Sequence, residues 1–135
     1  MRILGIEHVA IATDEIDKDA TFWRYILGIN RSVMEDVPHE GVTTDIYDTG
    51  RGKIELLAEL GEVSSIKGFL EKQGKGIHHI CLQVDDIVAA TAELKVNGIR
   101  LINDEPKVGA EGYRIIFIHP ESAGGVLVEL AERPE

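Results

Sequence analysis

The sequence predicts an α+β fold made of two tandem βαβββ modules, and three observations carry that reading. "GIEHVAIATDEI" (5–16) and "GIHHICLQVDDI" (76–87) match in Gly, Ile, His, Asp and Ile at a constant offset of 71. Each is followed by a run of helical spacing that stops at a glycine, "DKDATFWRYILG" in the first half and "VAATAELKVNG" in the second. Each half then continues as short β-like runs separated by Gly, Asp and Pro. One such unit alone would leave a sheet face bare, so duplication with a merged core follows.

In chain order, the first strand carries His8, and the first helix carries Phe22, Trp23, Ile26 and Leu27 at a spacing that predicts a core face. Strands are expected at about 29–36, 42–49 and 53–59. "SSIKGFLEKQG" predicts a connecting helix capped by serine. The second half predicts a strand over "GIHHICLQV" (76–84), a helix, and strands at about 99–102, 113–119 and 125–132. The expected organisation is a single domain over 1–135, with module 1 at about 1–61, a linker helix at about 62–74 and module 2 at about 75–135.

Composition narrows the function classes. The 135 residues suit one domain, with 44% apolar and 28% charged residues, and no stretch nears the roughly 20 apolar residues of a membrane span. The N-terminus meets acid after a short apolar run and lacks a small-residue cleavage site, so a cytoplasmic protein is expected. A net charge of −10 argues against nucleic acid, although a bound cation can reverse the field inside a pocket. The single cysteine, Cys81, excludes a disulfide framework and is expected to be a small buried residue.

Side-chain alternation then selects candidate site residues. His78 shares a strand face with Ile80 and Leu82, whereas His79 shares the opposite face with Cys81 and Gln83. The repeat aligns His79, not His78, with His8, whose face carries only Ala10 and Ala12. His78 is therefore expected to pack. In the last strand of each half, Glu55 lies between Ile54 and Leu56, and Glu129 between Val128 and Leu130. A lone buried carboxylate is costly, so two at equivalent places call for a cation or protons. Two imidazoles and two carboxylates suit one divalent metal, and four protein ligands leave two adjacent octahedral positions for substrate oxygens. His39 and Glu40 read as solvated turn residues, and His119 as part of a structural turn.

These motifs resemble the vicinal oxygen chelate, or glyoxalase, superfamily, in which paired βαβββ modules form a cupped, barrel-like mixed sheet around one metal. "GKGIHHICLQVDDI", "HPESAGGVLVEL" and "GFLEKQGKGIHH" are most similar to its methylmalonyl-CoA epimerase family. The resemblance implies epimerisation of an acyl-CoA thioester by removal and return of the C2 proton, with chelation by a divalent ion (Co, Mn, Ni, Fe or Zn) stabilising the enediolate. It implies His8, Glu55, His79 and Glu129 as metal ligands, Glu129 as an acid/base, Glu55 as a further candidate base, and a homodimer. Some relatives have glutamine at the Glu55 position. A second base of some relatives falls at Thr44 in "GVTTD", and a threonine hydroxyl is no base at neutral pH. Glyoxalase I (lactoylglutathione lyase) chemistry and a metal-free small-molecule binder are the alternative readings, with an extradiol dioxygenase behind them.

Overall fold

The computed structural model describes residues 1–135. The chain forms two compact units, His8–His78 and a second made of Met1–Glu7 with His79–Glu135. Both follow the expected strand, helix, strand, strand, strand order.

The first unit contains β1 from His8 onward (the strand spans Ile3–Ala12), helix α1 (Ile16–Ala20), β2 (Asn30–Val37), β3 (Val42–Asp48), β4 (Lys53–Glu59) and helix α2 (Lys67–Gln73). β1 runs parallel to β4, β4 antiparallel to β3, and β3 antiparallel to β2. Gly41, in the turn just before β3, has φ +65° and a position where a Cβ would lie 2.0 Å from the Val63 carbonyl oxygen, so no other residue fits that approach. Behind the sheet, Trp23 packs on Ala20, Tyr47 and Leu56.

Two expectations in this unit need correction. α1 gives way after one turn to a π-helical segment, Thr21–Ile26, closed by Leu27 N–H to the Phe22 carbonyl at 2.9 Å. The wider turn rotates neighbours off the face that a 3.6-residue period predicts. Trp23 stays on the core, while Phe22, Ile26 and Leu27 are 48%, 71% and 50% exposed. The serine cap of α2 is also absent. The buried Ile66 occupies the cap position, and the Ser64 hydroxyl accepts from Ile66 N–H one turn earlier.

The second unit contains β5 (Gly76–Val84) from His79 onward, helix α3 (Ile87–Val96), β6 (Lys107–Val108), β7 (Arg114–Ile118) and β8 (Val128–Glu132). Asp86 caps α3 by accepting from Ala89 N–H at 3.0 Å, and Gly98 in a left-handed conformation follows its end. β5 runs parallel to β8, β8 antiparallel to β7, and β7 antiparallel to β6. Val84, Ile87, Ala90, Ile116, Ile118 and Leu130 form the core beneath α3. Arg2 of the N-terminal segment exchanges hydrogen bonds with Asp85, at 3.1 and 3.3 Å.

The strand expected at 99–102 is reduced to a single bridge, Leu101 to Ile118, and the paired strand is Lys107–Val108. A side chain explains the gap. The Asn103 carboxamide accepts from Phe117 N–H at 2.8 Å and donates to the Ile115 carbonyl at 3.3 Å, standing in for a peptide group along β7.

Candidate metal centre

In the first unit, parallel pairing sets Ala10 beside Glu55, so His8 lies two residues back on the same face. The small Ala10 leaves room for the imidazole to lean across, and His8 Nδ1 reaches Glu55 Oε2 at 2.8 Å. Both residues are buried, at 6% and 5% exposure.

In the second unit, Cys81 takes the place of Ala10 and pairs with Glu129. His79 stands in the same diagonal relation, with Nε2 at 3.2 Å from Glu129 Oε1, and both residues are again buried. Cys81 is in no disulfide, fully buried and packed with Ile115 and Ala131, so its role is that of a small strand residue, as expected.

The pairs fit a metal on spacing as well as chemistry. Nitrogen and oxygen donors each about 2.1 Å from one ion at right angles stand about 3 Å apart. The two observed separations, 2.8 and 3.2 Å, bracket that value. Each pair also combines a borderline nitrogen donor with a hard oxygen donor, the mixture first-row divalent ions accept.

Sequence reading missed Phe117. It pairs with Glu129 across β7 and β8, and its ring meets His79 edge to face, with centroids 5.4 Å apart at 88°. Counting alternate residues along β7 against Glu129 would have found it. Lys107 lies over the same ring, its ammonium 5.8 Å from the centroid. His78 turns away from His79 and packs edge to face on Phe69 of α2 at 5.0 Å. His119 Nδ1 accepts from Glu121 N–H at 3.0 Å, capping a short turn, and His39 is exposed. Thr44 is buried and donates to the Glu35 carbonyl at 3.1 Å. Asp45 faces the other way and is held by Arg31 in two hydrogen bonds of 2.7 and 3.0 Å, with Tyr47 donating to it as well. The Asp45 hydrogen bonds raise the pKa of Arg31, and burial followed by the Asp45 contact raises that of Tyr47.

Known proteins agree with this architecture. The chain is 45% identical over 94% of its length to human mitochondrial methylmalonyl-CoA epimerase, covering 73% of that protein. It is also 45% identical to the ethylmalonyl-CoA/methylmalonyl-CoA epimerase of Cereibacter sphaeroides, covering 94% of this chain and 96% of that one. Among solved structures, a Streptomyces coelicolor methylmalonyl-CoA epimerase in complex with 2-nitronate-propionyl-CoA superposes with a TM-score of 0.92, at 31% identity over 99% of this chain and 100% of that one. Residues 7–117 match the model of the Glyoxalase/Bleomycin resistance protein/Dioxygenase superfamily, and the chain belongs to that superfamily.

Proposed function

We propose that this chain is an epimerase that interconverts the two epimers of methylmalonyl-CoA, and that His8, Glu55, His79 and Glu129 together hold one divalent ion. One observation carries the reading: a buried His–Glu pair recurs in the same register in both halves of the duplicated chain. The relatives named for this activity support the substrate. The ion, one of Co, Mn, Ni, Fe or Zn, would supply electrophilic stabilisation of the charge that develops on the substrate oxygens as C2 loses its proton.

The chain's own residues then do the rest. Glu129 serves as acid and base at one face of C2, in surroundings that exclude water. His79, braced by Phe117, and His8, given room by Ala10, hold their carboxylate partners in place. Glu55 is a ligand and a further candidate for proton transfer. No helix is long and apolar enough to cross a membrane. A buried thiol outside any disulfide accords with a cytoplasmic setting, and we assign the chain to a homodimer in keeping with its exposed Phe22, Tyr25, Ile26 and Leu27.

The decisive measurement uses a single epimer of methylmalonyl-CoA in deuterated water. Metal-replete protein should incorporate deuterium at C2 and erase optical purity, and protein that does neither overturns the reading. Faster turnover of the glutathione hemithioacetal of methylglyoxal would instead establish glyoxalase chemistry. Metal content near one equivalent, lost in His79→Ala and Glu129→Ala, tests the ligand set, and metal-free preparations would favour a binding protein.

A further inference from the structure

We infer that Phe117 is a positioning residue for the metal centre proposed above: its ring sets the plane of the His79 imidazole, and Lys107 holds that ring in turn. The inference rests on the ligand reading and concerns the second unit alone.

An imidazole binds an ion in the plane of its ring, so the rotation of the ring decides whether the nitrogen lone pair points at the ion or past it. That rotation is about a bond between a tetrahedral and a trigonal carbon, which has broad wells of its own. The strand backbone places the His79 Cβ and leaves the last turn of the ring to its neighbours. Glu129 lies 3.2 Å from Nε2, a contact that fixes one atom and not a plane. Phe117 meets the ring edge to face, with centroids 5.4 Å apart at 88°, and a contact between two perpendicular rings does define a plane.

The register explains why a large ring stands here. Phe117 on β7 pairs with Glu129 on β8, and Glu129 with Cys81 on β5, so β7 and β5 are two strands, or about 10 Å, apart. A side chain from β7 must lean across β8 to meet His79, a reach that favours an aromatic ring over a branched aliphatic chain. Phe117 is also the departure in its strand, Arg-Ile-Ile-Phe-Ile: the three isoleucines are buried, and the phenylalanine is only half-buried. A ring chosen for the core would be the best-buried member. In the first unit the place opposite the glutamate holds Ile46, so the aromatic contact belongs to the second module and not to the repeat.

Lys107 pairs with Ile115 on the far side of β7 and leans over the Phe117 ring, its ammonium 5.8 Å from the centroid. This contact uses the charge of the ammonium and not its N–H groups, so it coexists with other bonding by Lys107. A rotation of Phe117 that released His79 would also disturb the cation–π contact.

The test titrates cobalt(II) into the intact chain, reading the visible d–d bands, the dissociation constant by chelator competition, and thermal unfolding. Phe117→Leu should raise the dissociation constant about ten- to hundredfold and change the bands. Phe117→Met, ring-free and closer in volume, carries the same expectation and decides the matter should the leucine variant not fold. Phe117→Tyr keeps the ring and should stay close to wild type. Ile115→Ala opens a void on the same face of β7 and should lower the unfolding temperature with bands and affinity unchanged. Lys107→Met should weaken cobalt in the same direction by a smaller factor. Wild-type affinity and bands in both ring-free variants overturn the inference, as does a tyrosine variant as weak as they are, or an equal loss of affinity in Ile115→Ala. Wild-type protein that takes up no cobalt is a different result, seen before any variant is made, and it removes the ligand reading itself.

Discussion

On the sheet face away from the His–Glu pair, the first half places Asp45 opposite Leu56, and the second places Ile116 opposite Leu130. The first position is the centre of a polar network with Arg31 and Tyr47, and the second is the middle of an aliphatic core under α3. On the inner face the halves agree closely, with a histidine two residues before a small residue that pairs with a glutamate. The difference teaches that the ligand register constrains one face of each module, while any packing that satisfies its own polar groups serves on the other. The flanks of the inner face have diverged too: the position opposite Thr44 carries Glu35, and the position opposite Ile115 carries Lys107. One module borders its site with a carboxylate, the other with an ammonium.

The sharpest way to break this comparison is to delete each ligand histidine. His8→Ala and His79→Ala should both drive metal content and epimerisation to background; retention of one equivalent of metal by either variant would show that the halves are not equivalent ligand sources. Next in size is the outer face. Arg31→Met leaves the fully buried Asp45 carboxylate uncompensated and should cost about 3 kcal/mol in a denaturant titration. The triple change Arg31→Met, Asp45→Ile, Tyr47→Phe imitates the second half and should recover most of that loss; continued instability would show that the network does more than satisfy itself. The smallest effect belongs to His78, the repeat counterpart of Glu7. His78→Ala removes the ring set edge to face on Phe69 and should cost about 1 kcal/mol with metal content intact.

Much of this was legible because duplication converts weak local signals into paired ones. His8 and His79 could be told from His78 by strand parity and by offset, and Glu55 and Glu129 by their apolar neighbours. The strand over 76–84 falls where alternation places it. What escaped was set by geometry without a sequence period. The π turn of Thr21–Ile26 shifts Phe22 and Ile26 out of the predicted stripe, and nothing in their spacing announces it. The second half's strand near 99–102 stops short because, after backbone bonds from Ile102 to Phe117 and from His119 to Arg100, the Asn103 side chain takes over from the backbone. Phe117 went unnoticed because an aromatic residue in a strand reads as ordinary core until its cross-strand partner is known.

The Asn103 carboxamide has a practical meaning for the molecule's tolerance to change. A side-chain amide satisfies the edge of β7 without fixing the phase of the chain that follows it, whereas a paired strand would lock each residue to its neighbour. Residues 104–106 form no ladder with β7, and the same carboxamide tethers them by donating to the Glu105 carbonyl at 2.9 Å. The exposed side chains of Asp104 and Glu105 are therefore the natural port for a fluorophore, whereas an inserted reporter would have to spare the Glu105 carbonyl that the carboxamide holds.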